Sequence, residues 1–306
     1  MAANPFASPG EWLRCALHAH TTNSDGELAP TLLARHYARA GFDVLAITDH
    51  HVRTVEPSTE SLLVIPSTEL DARVRGTDRD AHVLALGVSA EPAPRGGELL
   101  ELDEIVRWVR DEGGVPFLAH SYWSGLRTVD FETCEGLVGV EIYNAGCELE
   151  TGRGLATLHW DEALEAGHRL LGIATDDCHH PGFDSSLAWV WVRSAERSVE
   201  SVLAALREGA FYSSTGPRIH ELTVEADAIV FRSSPVRSAR LLTERKQGAA
   251  VGAGRLGYVH GARVLEPDDN GEITAARLAR PGSTSYGRLE LRDAEGGVAW
   301  TNPLWS

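Results

Sequence analysis

The sequence predicts a mixed α/β protein, a TIM-like barrel of about seven strands followed by a small all-β domain. Three observations carry that expectation. Short apolar runs alternate with helical patterns through the first two thirds of the chain, as in a parallel sheet with crossover helices. The alternation stops at Gly216-Pro217, and short strands separated by Gly, Pro and Asp turns follow. Side chains able to bind metal recur at the edges of the apolar runs, as they do where strand ends converge on one rim.

The chain has 306 residues, 43% of them apolar. That length suits one large or two ordinary domains, and the composition supplies a substantial core. Residues 12–17 and 44–48 read as strands, with a helix over 30–40 between them. Residues 62–66 and 83–87 are further apolar runs. A helix is expected over 99–111, where Leu100, Ile105, Trp108 and Val109 fall at near-helical spacing and Gly113-Gly114 stops it. Strands follow at 115–119, 138–142 and 170–174, with a helix at 155–166 before the last. Residues 188–192 read as another strand and 198–208 as a helix, with Ser198 as its N-cap. In the tail, 221–225, 228–231, 239–242, 262–265 and 288–291 read as short strands. The expected division is a metal-binding barrel over 1–217 and a sandwich-like β-rich domain over 218–306.

A formal net charge of −16 disfavours nucleic acid and anionic membrane as partners. Bound cations would offset part of it. No apolar run approaches the roughly 18 residues of a membrane-crossing helix, and residues 1–10 lack the basic and apolar regions of a signal peptide. Cys15, Cys134, Cys147 and Cys178 form no CxxC pair, so neither a disulfide framework nor a thiolate zinc site is expected. A cytoplasmic location is the expectation; oligomeric state stays open.

The candidate ligands are His18-Ala19-His20, Asp25, Thr48-Asp49-His50-His51, Glu69, His82, His120 and Asp176-Asp177-Cys178-His179-His180. On an extended segment, His18 and His20 point to one side, so both can bind one ion. Glu69 can bridge two ions through its two oxygens. Asp177 and His179 repeat the i, i+2 geometry, which favours Asp177 over Asp176. His82 begins its apolar run instead of ending it, so its strand should run the other way or enter the site obliquely. Asp49 and His51 are expected to orient ligands by hydrogen bonds. A single histidine here would read as a capped or surface residue, and His36, His159, His168, His220 and His260 are read so. The set as a whole is different, because clustered buried polar groups without ligands are costly. A His/Asp/Glu set without sulfur suits zinc, manganese or iron.

These residues resemble the PHP (polymerase and histidinol phosphatase) superfamily. The resemblance rests on Leu17-His18-Ala19-His20 with Ser24-Asp25-Gly26, on Ile47-Thr48-Asp49-His50-His51, on Glu69, on Ala119-His120 and on Asp177-Cys178-His179. Ala299-Trp300-Thr301-Asn302-Pro303 is also similar to the tails of some free-standing members. The resemblance implies a distorted barrel and two or three divalent metal ions. One ion would take His18, His20, Glu69 and Asp177. A second would share Glu69 and add His82 and His120. A third would take Asp25, His50 and His179. Some members have histidine where Asp25 stands, which implies a weaker third site or one for a harder metal. The segment 52–61, short and containing Pro57, departs from the full helix common in the family.

The implied activity is hydrolysis of a phosphoric ester, by a phosphatase or phosphodiesterase acting on a small phosphorylated substrate through a metal-bridging hydroxide. Glu69 and Asp177 would serve the metals and His180 would supply a proton. Arg127 and Arg153, after expected strand ends, are candidates to grip phosphate. Two alternatives stay open: a metal-dependent hydrolase of a C–N or C–O bond, and a non-catalytic module stabilised by metal. Gly252-Ala253-Gly254-Arg255-Leu256-Gly257 fits GxGxxG, but no helical pattern follows, so these are read as loop glycines with no dinucleotide site.

Overall fold

A computed structural model describes residues 4–92, 99–253, 258–282 and 284–305. The chain forms two compact units, Gly10–Arg207, and Met1–Pro9 with Glu208–Ser306.

The larger unit is mixed α/β. Its elements run β1 (Glu11–Ala16), α1 (Pro30–Arg39), β2 (Val44–Ile47), β3 (Leu63–Arg73), β4 (Asp80–Leu86), α2 (Leu102–Asp111), β5 (Val115–Leu118), β6 (Gly139–Asn144), α3 (Ala145–Thr151), α4 (Thr157–Glu165), β7 (Leu171–Thr175), β8 (Trp189–Ser194) and α5 (Val199–Glu208). The strand path is β8-β1-β2-β3-β4-β5-β6-β7. β1, β2 and β3 are parallel, as are β5, β6 and β7. β4 is antiparallel to both neighbours. It therefore delivers His82, near its start, to the rim where the parallel strands end, which removes the oddity seen in the sequence.

The expectation of a closed TIM-like barrel is corrected. No ladder joins β1 to β7, so the sheet stays open. The chain just beyond their ends nevertheless meets. Ala19 bridges Cys178, Asp177 N–H donates to His18 C=O at 3.1 Å, and His20 N–H donates to Cys178 C=O at 2.9 Å. His18 and His20 on one side and Asp177 and Cys178 on the other are thus stitched together where the candidate ligands lie.

Local chemistry explains the other differences. α2 starts at Leu102 because Glu101 and Glu104 form a reciprocal capping box; Leu100 stays outside it and exposed. β3 is longer than its apolar core suggests, because Ser67, Thr68 and Glu69 continue the ladder against Leu86, Ala85 and Leu84. α3 is a short helix absent from the sequence expectation. Asn144 caps it by accepting from Cys147 N–H at 2.9 Å, and Gly152 ends it at φ 68°, a left-handed turn that favours glycine. Ser198 Oγ accepts from Ser201 N–H at 3.2 Å, the expected cap. Leu33 and Tyr37 of α1 pack with Phe42, Leu45 and Ile47 in one buried cluster, and Tyr37 donates to Asp176 at 2.8 Å. Core packing therefore fixes the residue beside Asp177.

The second unit is antiparallel β. It contains β9 (Phe211–Ser214), β10 (Ile219–Val224), β11 (Ala228–Val236), β12 (Ser238–Leu242), β13 (Gly248–Gly252), β14 (Tyr258–His260), β15 (Ala262–Pro267), β16 (Ile273–Ala279), β17 (Tyr286–Arg292), β18 (Val298–Thr301) and β19 (Leu304–Trp305). One sheet runs β10-β11-β16-β15, and the other strands run β14-β13-β12-β17-β18-β9, with β19 on β17. Of the GxGxxG stretch, Gly252 ends β13, and residues 254–257 lie outside the described residues. Within the described residues no helix is long and apolar enough to cross a membrane, and all four cysteines are buried and unpaired.

Candidate metal centre

The centre forms where strands of the larger unit end. His18 and His20 follow β1 on extended chain, and both are fully buried. Thr48 Oγ1 accepts from Ala19 N–H at 3.0 Å, holding the residue between them against the chain leaving β2. His50 follows β2 and bridges Glu69 in β3. His120 follows β5, and Asp177 and His179 follow β7. Asp177, His120 and His51 have φ of 53°, 22° and 55°. Non-glycine residues occupy this region at a cost on the order of 1–3 kcal/mol each and collect at functional sites.

Four donor atoms converge most tightly. His18 Nε2 lies 3.1 Å from His20 Nε2, 3.2 Å from Glu69 Oε2 and 3.1 Å from Asp177 Oδ1. His20 Nε2 lies 3.3 Å from Glu69 Oε2 and 3.1 Å from Asp177 Oδ1. An ion about 2.0–2.1 Å from each of four tetrahedral donors separates them by roughly 3.3–3.4 Å. The observed spacings are close to that. Buried Asp177 Oδ1 has no hydrogen-bond partner, nor does His50 Nδ1, as expected of atoms waiting for a cation. The residues present fit a divalent metal.

The other oxygen of Glu69 faces a second set. Oε1 lies 2.9 Å from His82 Nδ1 and 3.1 Å from His120 Nε2. A third set gathers on Asp25, which is 3.5 Å from His50 Nε2, 3.5 Å from His179 Nε2 and 3.6 Å from His20 Nδ1. All three sets expected from sequence come together, and His20 also joins the third. A further group, His50, Asp71 and His82, adds an acid that sequence reading missed. Asp71 also lies 3.1 Å from His51.

Surrounding groups fix these side chains. Asp49 accepts from Thr21 N–H (2.6 Å), Thr21 Oγ1 (2.7 Å) and Ser24 Oγ (2.8 Å), so it pins the loop between His20 and Asp25. Gly26 is required in that loop, because a Cβ there would sit 2.3 Å from His20 C=O. Asp176 turns away from the centre and accepts from Tyr37 and from the N–H groups of Ser186, Leu187 and Ala188.

The largest omission from the sequence reading is Glu141. Fully buried in β6, it accepts four hydrogen bonds: from His18 Nδ1 (2.7 Å), Thr175 Oγ1 (2.6 Å), His120 N–H (2.8 Å) and Asn144 Nδ2 (2.9 Å). By holding the proton of His18 on Nδ1, it leaves Nε2 free as a ligand. A lone acid inside the apolar run 138–142 was the available signal. Asn144 Nδ2 also donates to Asp177 Oδ2 at 3.1 Å.

His180 lines the cavity beside the cluster, with Nδ1 3.7 Å from Glu27. Its backbone N–H, like that of His179, donates to Asp184. The two arginines do not join them. Arg127 pairs with Asp130 at 3.2 Å, Arg153 lies 5.7 Å from the centre of the Tyr122 ring, and neither lines the cavity. His36 bonds Ser185 (2.8 Å) and His159 bonds Ser121 (2.9 Å), and neither belongs to a ligand group.

Burial opposes charge on His18 and His20, but Asp177 and Glu69 outweigh it, with Glu141 adding to the effect on His18. His18 is held well above its ordinary value and His20 is raised to about 9. Burial likewise opposes ionisation of Glu69, yet the histidines hold it well below the usual carboxylate range. In metal-free protein, the stabilisation from protonated His20 is complete below 6.5 and is lost as pH rises through about 9. That from ionised Glu69 is complete above 4.5 and is lost as pH falls through its depressed value. The metal-free protein should therefore lose thermal stability between pH 6.5 and about 9. Metal must displace these protons, so affinity should rise across the same interval. Calorimetry in buffers of different ionisation enthalpy checks this; metal binding without proton release would contradict it.

No protein-family model matches the chain, and no curated protein does. Solved structures do. A two-domain protein from Bacteroides vulgatus containing a predicted PHP-like metal-dependent phosphoesterase aligns over 96% of this chain and 96% of its own, with 15% identity and a TM-score of 0.51. A candidate metal-dependent phosphoesterase from Bifidobacterium adolescentis aligns over 55% of this chain and 88% of its own (17% identity, TM-score 0.44). A lesion-specific endonuclease from Pyrococcus furiosus aligns over 64% of this chain and 56% of its own (12% identity, TM-score 0.42). The first of these likenesses spans nearly the whole of both chains and shows a shared fold.

Proposed function

We propose that the chain is a hydrolase that cleaves a phosphoric ester at a cluster of divalent metal ions. The observation that carries this reading is the division of Glu69, with one oxygen among His18, His20 and Asp177 and the other between His82 and His120. A carboxylate placed so can join two cations. When bound, such ions neutralise phosphate oxygens and bring the pKa of a coordinated water near 7.

The chain's own residues would do the following. Glu141 and Asn144 hold His18 and Asp177 in place. Asp184 fixes the backbone that carries His179 and His180. His180 reaches the cavity wall, where it can give a proton to a departing alkoxide. Among the described residues no lysine or arginine lines the cavity, so phosphate charge falls to the cations. A cavity of about 360 Å³ favours a small substrate. The likeness to a two-domain protein containing a predicted phosphoesterase supports the same class.

The test is phosphate release by metal-reconstituted protein across phosphomonoesters, cyclic nucleotides and phosphodiesters. Turnover should vanish on chelation and return with zinc, manganese or iron(II). Chelation should also lower the melting temperature, since a ligand held at 100 times its Kd stabilises by about 2.7 kcal/mol. Metal-loaded protein that releases no phosphate from any member of the panel would overturn the proposal.

A further inference from the structure

Three large apolar side chains stand exposed on the wall of the candidate metal cavity. They are Trp123 (39% exposed), Leu149 (47%) and Phe183 (69%). Each comes from a different element, namely the turn after His120, helix α3 and the turn after His180. Trp123 lies against the cluster itself, its ring 5.1 Å from that of His120 and 6.4 Å from that of His82. Outside the ligand sets the charged side chains that share this lining are Glu150, Asp184 and His180, and Glu150 of α3 is exposed beside Leu149. Among the described lining residues none is a lysine or arginine, and outside the ligand sets His180 is the one imidazole.

The lining therefore has two chemistries. Ligands of the metal sets gather charge at one place, and the wall facing it is apolar with an acid at its edge. A substrate with one phosphate can put that group on the cations and lay an uncharged remainder against Trp123, Leu149 and Phe183, which takes apolar surface out of water. A second phosphate on the same substrate would lie against these side chains and Glu150, where no lysine or arginine answers it and its desolvation is poorly compensated.

We infer that the site selects monoesters whose leaving group presents an aromatic or aliphatic face and carries no second phosphate. The inference rests on the proposed phosphoesterase reading and narrows it. Trp123 and Phe183 are then specificity-determining contacts, made alike in ground and transition states, so their loss should appear chiefly in KM.

The test uses full-length, metal-loaded protein and three alkyl esters of similar intrinsic reactivity: hexyl phosphate, 2-phenylethyl phosphate and 1,6-hexanediol bisphosphate. kcat/KM should be at least about tenfold higher for 2-phenylethyl phosphate than for the bisphosphate, the scale on which pocket contacts discriminate. In Phe183→Ala, whose parent side chain is largely exposed, KM for 2-phenylethyl phosphate should rise several-fold with little change in kcat, and the ratio should shrink. Glu150→Lys should shrink the ratio from the other side, by improving the bisphosphate. Equal or better turnover of the bisphosphate by the unaltered protein would overturn the inference and leave the phosphoesterase reading standing. So would a ratio unmoved by both substitutions. No phosphate release from any of the three esters or from the broader panel would overturn both.

Discussion

Glu69→Gln protein is expected to fold, to hold fewer metal ions than the unaltered protein, and to release phosphate at least about 10³-fold more slowly. The size of the effect follows from how much converges on this one side chain. Glu69 is 1% exposed, and five imidazoles face it: His18 at 3.2 Å, His20 at 3.3 Å, His50 at 3.3 Å, His82 at 2.9 Å and His120 at 3.1 Å. Glutamine preserves the shape but removes the charge and replaces one acceptor by a donor, so it cannot present an oxygen to each of two cations. In metal-free protein below pH 6.5, where His18 and His20 carry protons, the same change breaks a buried ion pair. That costs about 3–5 kcal/mol. Metal content by mass spectrometry, phosphate release and a melting curve measure the three effects; unchanged metal content and turnover would remove Glu69 from the centre.

Glu141→Gln is expected to weaken metal binding by about 10–100-fold, although Glu141 belongs to none of the ligand groups. Four donors point at its two oxygens. A glutamine nitrogen must face two of them donor to donor, at a cost of roughly 1–3 kcal/mol for each donor left unmet. His18 then loses the partner that keeps its proton on Nδ1, and the loop entering His120 loses its anchor. The variant should melt at lower temperature and give metal up to a competing chromophoric chelator more readily. Wild-type affinity in a folded Glu141→Gln protein would show that the contact does not orient His18.

Much of the centre was legible in the sequence, for a physical reason. Ligands at strand ends must be spaced by strand and crossover lengths, so His18, His50, Glu69, His120 and Asp177 stand in chain order around one rim. The i, i+2 rule placed His18 with His20, and the choice of Asp177 over Asp176 agrees with the directions in which the two carboxylates point. His82 preceding its apolar run left two options, a reversed strand or an oblique entry, and β4 takes the first. Glu141 escaped because a buried acid in a strand reads like any polar residue on an exposed face, and its meaning depends on partners as far as 123 residues away. Arg127 and Arg153 misled because position after a strand says nothing about where a long side chain finds its partner. The opening between β1 and β7 was equally invisible. Strand count fixes neither ladder closure nor the short bridge at Ala19 and Cys178 that takes its place.

The central claim is that Glu69 joins two cations in a multinuclear centre. Counting divalent ions per chain after reconstitution and removal of loosely bound metal, in unaltered and Glu69→Gln protein side by side, tests it most directly. Two or three ions per unaltered chain and at most one in the variant is the expected result. No bound ion in the unaltered protein, or the same number in both, would contradict it.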